Sequence, residues 1–194
     1  MKFAHSVVAA AVSLGFCTAA FAQAGTVQRD VNQQQRIEQG LQSGQLNTRE
    51  AARLENEESR VERDQSRAMK DGKLTAQEKA RLSREQNQVS RDIYREKHDA
   101  QTGNPNSASS QRMQADVQRN INQQQRIEQG VKSGSLTTRE TGKLENGEAR
   151  IDKKEARAGS DGKVNANEQR RVQSAENRES RRIYRQKHDA QDRG

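Results

Sequence analysis

Apolar residues recur at helical spacing along most of this chain, and polar or charged residues fill the positions between. Leu54, Val61 and Ala68 are seven residues apart, with Ala51 and Glu58 between them. Leu82, Val89 and Ile93 lie on one stripe with Gln86 in its gap, and Val27, Val31, Ile37 and Leu41 form another. These stripes are narrow, nearer to a coiled-coil seam than to the wide face of a globular helix. The intervening residues are mostly Gln, Glu, Arg, Lys and Ala, which tolerate helix well. The pattern predicts helices over residues 27–42, 47–69 and 75–98.

The same pattern is then repeated. Val27 to Gln101 recurs as Val117 to Gln191 without gaps. VNQQQRIEQG and INQQQRIEQG open the copies, and IYREKHDAQ and IYRQKHDAQ close them. A fixed offset of this kind marks duplication of one structural unit. The second copy carries its stripe on Leu144, Ile151, Ala158, Val172 and Ile183. It is weaker at Gly142, Gly147 and Gly159, and Glu179 stands where the first copy has Val89.

Between the helical stretches, [SD]-G-x-[LV]-[NT]-x-x-E occurs four times, beginning at Ser43, Asp71, Ser133 and Asp161. The Gly can take the left-handed conformation that ends a helix. The Asn or Thr can cap the next helix, and the Glu three residues on can complete a capping box. The Leu or Val before the cap can pin the entry of the chain as a hydrophobic staple. Short turns favour antiparallel neighbours. The expected fold is therefore all-α, with two copies of a three-helix antiparallel hairpin array and a marginal, partly disordered core. The predicted divisions are helical repeats over 23–99 and 117–189, a flexible linker over 100–116 that holds the only proline, Pro105, and a tail over 190–194.

Residues 1–22 read as a signal peptide. Lys2 supplies the positive start, Val7 to Phe21 the apolar stretch, and Ala20-Phe21-Ala22 the cleavage signal. Export to the periplasm or the outside is the expectation. Cys17, the sole cysteine, leaves with the leader, so the mature chain would have no disulfide. It would also have no Phe or Trp, and only Tyr94 and Tyr184 as aromatics. Its content of large aliphatic residues falls below the ~20% that normally accompanies a stable core. Such a unit would gain from its twin, from a homo-oligomer or from a ligand. The net charge of +8 favours anionic partners such as an envelope surface. Export argues against nucleic acid, and no transmembrane helix is expected after cleavage.

The turns carry the candidate chemistry. D-G-x-[LV]-x-x-x-E resembles the second half of an EF-hand loop, and that resemblance would make Asp71, Glu78, Asp161 and Glu168 ligands for calcium or another divalent cation. The positions for the first and third ligands hold Arg67 and Met69 in one loop and Arg157 and Gly159 in the other. Leu74-Thr75-Ala76-Gln77-Glu78 and Leu136-Thr137-Thr138-Arg139-Glu140 are similar to the LTxxQ signature of Spy-type periplasmic chaperones, which implies a helical exported protein that binds unfolded clients. His98 and His188, each between Lys and Asp, are further candidates for a metal or for titration near neutral pH, or else cationic helix ends. Tyr94 and Tyr184 are expected to pack on the helix stripe. No nucleophile–His–acid arrangement or phosphate loop supports catalysis, and no cofactor is indicated. The reading is an exported, non-enzymatic helical binding or stress-response protein that contacts protein clients or anionic envelope surfaces. The alternative is divalent-cation binding through the half-loops.

Overall fold

The computed structural model describes residues 15–189, with side chains from residue 23. The rest of the predicted leader and the predicted tail 190–194 lie outside the described residues. The fold is all-α: α1 (Gly15–Ser43), α2 (Thr48–Ala68), α3 (Ala76–Lys97), α4 (Ala108–Ser133), α5 (Thr138–Ala158) and α6 (Ala166–Lys187). The predicted cleavage point after Ala22 falls within α1. No described helix is long and apolar enough to cross a membrane.

The four turns fold as their residues dictate. Gly44, Gly72, Gly134 and Gly162 all have positive φ, the conformation that costs Gly least. Asn47 with Glu50, Thr75 with Glu78, Thr137 with Glu140, and Asn165 with Glu168 each form a complete capping box. The staple residue Leu46 is fully buried and its partner Ala51 with it.

The two repeats interlock. α2 runs antiparallel against its counterpart α5: Ala52 lies by Gly159, Glu55 by Asp152, Glu62 by Glu145, and Met69 by Gly142. α1 pairs with its counterpart α4, with Gln28 beside Glu128 and Gln118 beside Glu38. α2 meets α5 far more extensively than it meets α1, its neighbour in sequence. Equivalent helices facing each other define an approximate internal two-fold, an isologous interface within one chain. α3 covers α1 and α2, and α6 covers α4 and α5.

This packing corrects the expectation of two arrays hung on a flexible linker. One apolar cluster takes Ile37, Leu41, Leu54 and Val61 from the first repeat and Met113, Val117, Ile121 and Ile151 from the second. The glycines that weaken the second stripe are points of close approach. A Cβ on Gly142 would lie 2.8 Å from Met69 Cβ, and one on Gly159 would lie 2.8 Å from Ala52 Cβ. Part of the predicted linker is helical, because Ser107 caps α4 and Met113 is buried on its inner face. The remainder is docked, with Gly103 N donating to Gly44 O at 2.8 Å. The expected partial disorder gives way, over the described residues, to helices that cover one another.

Candidate functional site: a carboxylate spine inside the bundle

α2 places Glu55, Glu58 and Glu62 at helical spacing beside Leu54 and Val61, so they share its buried face. α5 does the same with Glu145, Glu148, Asp152 and Glu155. These seven side chains are at most 1% exposed, as are Asp30, Asp116 and Glu176. Among the described residues no Lys or Arg is buried. Among the described residues, the ion pair from Arg119 Nε to Glu176 Oε2, at 2.8 Å, is the only one that reaches this set.

Amides supply the hydrogen bonds instead. Gln34 Nε2 donates to Glu55 Oε2 at 2.9 Å. Gln65 Nε2 donates to both oxygens of Asp30, at 3.0 and 2.8 Å, and Gln86 Nε2 donates to Asp30 Oδ1 at 2.7 Å. Asn120 Nδ2 bridges Asp152 Oδ1 and Glu155 Oε2, at 3.1 and 2.8 Å. Gln124 Nε2 bridges Glu62 Oε1 and Glu145 Oε2, at 2.6 and 3.3 Å. Many oxygens are still left without a protein donor. Glu58 and Glu148 have neither oxygen hydrogen-bonded, and Glu55 Oε1, Asp152 Oδ2 and Glu155 Oε1 are also unpartnered. Ligand atoms of Glu55, Asp152 and Glu155 lie within 4.8 Å of one another.

A buried carboxylate without a counter-charge costs several kcal/mol in effective desolvation. The group responds by holding its proton to higher pH. Burial pushes Asp30, Glu55 and Asp116 up to about 7 and Glu176 up to about 8. It raises Glu58, Glu62, Glu145, Glu148, Asp152 and Glu155 well above the carboxylate range, and their neighbours' negative charges add to the effect. Glu62 lies within hydrogen-bonding reach of Asp152. The spine therefore keeps its protons to higher pH than exposed carboxylates do. Its donor atoms are all oxygens, the set preferred by hard cations over those that seek sulfur or imidazole.

The residues singled out in sequence sit elsewhere. Glu78 Oε2 accepts from Thr75 N at 2.9 Å, and Glu168 Oε2 accepts from Asn165 N at 2.9 Å, as helix caps. Asp71 and Asp161 each accept from the backbone N of Lys73 and Lys163 and are exposed. None of the four joins a group of ligand atoms among the described residues. His98 and His188 are exposed at the ends of α3 and α6. Each donates from Nδ1 to the carbonyl four residues back, at 2.7 Å. Each also stacks on the preceding Tyr, with centroids 4.1 Å apart at Tyr94 and 4.2 Å at Tyr184. The tyrosines are thus not on the apolar stripe; they are 61% and 59% exposed.

The sequence carries a signal for the spine in charged residues at stripe positions, with the same sign in both copies. Glu55 and Glu145, Glu58 and Glu148, and Glu62 and Asp152 are ninety residues apart. A further group, Glu50, Glu96 and Asp99, lies near the α1–α2 turn. There Glu50 Oε2 is occupied by its capping bond and Asp99 is exposed. Comparison with protein-family models, curated proteins and solved structures found no match to this chain.

Proposed function

We propose that this is an exported, non-enzymatic binding protein whose cargo is a hard, oxygen-seeking metal cation held inside the helical bundle. The observation that carries the reading is the Glu55–Asp152–Glu155 group. Each of the three offers an unpartnered oxygen, and no buried Lys or Arg is present among the described residues to balance them. A bound cation removes the cost of that arrangement. The capped half-loops are the weaker place for an ion, because their glutamates already hold helix N-termini. Export rests on the leader pattern of residues 1–22.

Calorimetry of chelator-treated protein with calcium and with terbium, at neutral pH, tests the reading. The expected result is binding heat together with a higher melting temperature. A ligand at a hundred times its dissociation constant stabilises by about 2.7 kcal/mol. Absence of heat and of any melting shift with both ions would refute the reading.

Contact with anionic envelope surfaces is a second reading, and the segregation of charge favours it. The acidic groups gather inside while Lys and Arg stay outside, so the surface is more basic than the net charge of +8 indicates. Sedimentation with phosphatidylglycerol vesicles should then occur at low salt and fade as salt rises. Equal binding to neutral vesicles would count against it.

A further inference from the structure

We infer that the outer face of the α2–α5 pair is the surface on which this protein lies against an anionic lipid bilayer, and that it holds the bilayer through phosphate contacts with no side chain inserted. The inference rests on the envelope-contact reading above and names the face which that reading leaves open.

α2 and α5 sort their charges by face. On α5 the acids Glu140, Glu145, Glu148, Asp152 and Glu155 are all buried. Its cations Arg139, Lys143, Arg150, Lys153 and Arg157 are exposed or half-buried. Their spacing of four, seven, three and four residues keeps them on one side of a helix. α2 carries Arg49, Arg53, Arg60, Arg63 and Arg67 at the equivalent places. Asn56 and Asn146 fill the gap in each stripe. The two acids of α2 that are not buried, Glu57 and Asp64, border a groove against α3. Their counterparts on α5 are Gly147 and Lys154.

The internal two-fold joins these stripes into one surface. An axis that relates antiparallel neighbours stands normal to the plane of the pair. Equivalent residues of α2 and α5 therefore stand on the same face at the same height. Both stripes border one groove of about 490 Å³, with Arg49 and Arg53 on one side, Lys153 and Arg157 on the other, and Ala52 and Ala156 also lining it. Each helix has 21 residues, which is about 30 Å of rise. The basic face is thus a platform and not a point site.

The fold itself makes little use of this charge. Among the described residues only Arg67 of the two stripes forms an ion pair, with Asp64. Arg49 donates to the Asp161 carbonyl and Arg63 to the Ser59 carbonyl. Arg53, Lys143, Lys153 and Arg157 donate no side-chain hydrogen bond among the described residues. Like charges gathered on one face repel, and an anionic partner relieves that repulsion.

The chemistry of the face selects the partner. It has no large apolar side chain to insert into hydrocarbon, because the exposed ones are Tyr94 and Tyr184, on α3 and α6. It has no aromatic ring on which a base could stack. What remains is contact with phosphate, spread over a plane. The headgroups of an anionic bilayer lie in a plane, whereas a nucleic-acid duplex is a cylinder and meets a flat face along a line.

The test is co-sedimentation of the purified full-length protein with phosphatidylglycerol vesicles at low salt, with phosphatidylcholine vesicles and a DNA duplex run beside them. Each Lys or Arg close to an anionic leaflet contributes about fivefold to binding. Arg53→Gln, Lys143→Gln, Lys153→Gln and Arg157→Gln combined should therefore weaken binding by about a hundredfold or more. Lys143→Gln with Lys153→Gln should weaken it by about twenty-five-fold, so the outcome does not hang on one variant folding. Circular dichroism checks that each variant is helical. Lys73→Gln, Lys79→Gln, Arg84→Gln and Arg91→Gln combined remove the same charge from α3 and the turn before it, and should weaken binding far less. Arg53→Lys with Arg157→Lys keeps the charge and should bind within about twofold of the wild type. Equal losses in the two four-site variants would overturn the face and leave envelope contact standing. Tighter binding to the duplex than to the vesicles at the same salt, lost in the first variant, would overturn the bilayer as the partner. No binding of the wild type to phosphatidylglycerol, or equal binding to phosphatidylcholine, would overturn both the face and the envelope contact.

Discussion

In the presence of chelator, this protein should lose stability as the pH rises from about 5 to about 8. Asp116 illustrates the size of the effect, since burial moves its pKa from 3.8 to about 7. At about 1.36 kcal/mol for each unit, that shift is worth about 4 kcal/mol. The native state holds the proton that the unfolded chain gives up first, so stability falls as pH rises. The contribution is fully present below about pH 4 and is lost as pH passes through about 7. Asp30 and Glu55 also rise to about 7 and Glu176 to about 8, all by desolvation. These contributions share neighbours and do not add, yet total domain stability is only about 5–15 kcal/mol. Part of the Asp116 contribution is already gone at about pH 5, so the loss from about pH 5 to 8 is about 3 kcal/mol, which lowers the melting temperature of a domain this size by about 6–12 °C. Thermal melts followed by circular dichroism, in chelator at about pH 5, 6.5 and 8, measure it directly. A melting temperature that stays flat or climbs across this range would refute the assignment of the spine as a set of unpaired buried acids.

Glu58→Gln should raise the melting temperature of the metal-free protein at about pH 8 and change it little at about pH 5. It removes a charge that has no hydrogen-bond partner on either oxygen, and the same pair of melts tests it. Thr75→Ala removes an N-cap and should cost about 1 kcal/mol, read from denaturant unfolding, while Glu78→Gln should leave the number of bound ions unchanged by dialysis. Loss of an ion in that second variant would return the metal to the half-loop. Gly142→Ala should destabilise by about 1–3 kcal/mol, because its new Cβ would lie 2.8 Å from Met69 Cβ, with the Ser66 carbonyl close behind. Denaturant unfolding measures it, and unchanged stability would contradict the close approach of α5 to α2.

Local chemistry carried a large part of this fold in the sequence. The capped turns were readable because each function falls to one residue type at one offset: Gly for positive φ, Asn or Thr for the cap, Glu to complete the box. α2 and α3 end within two residues of their predicted limits, since a capping box and a glycine turn are settled by a handful of adjacent residues. The pairing partners were not readable in the same way. The stripe on α2 could face α1 of its own repeat or α5 of the other, because both copies carry an apolar stripe at the same spacing. Gly142 and Gly159 decide it, by allowing α5 to approach Met69 and Ala52 on α2. Taken alone along the chain, those glycines look like defects in a helix.

The sequence by itself determined an all-helical chain, a duplicated unit and four capped turns, because those features depend on contacts within a few residues. It also placed Glu55, Glu58 and Glu62 on the same stripe as Leu54 and Val61. Only the tertiary structure decided that this stripe is covered by its twin. That step turns ordinary helix carboxylates into buried ones. The desolvation that makes them hold protons is a property of both repeats packed together.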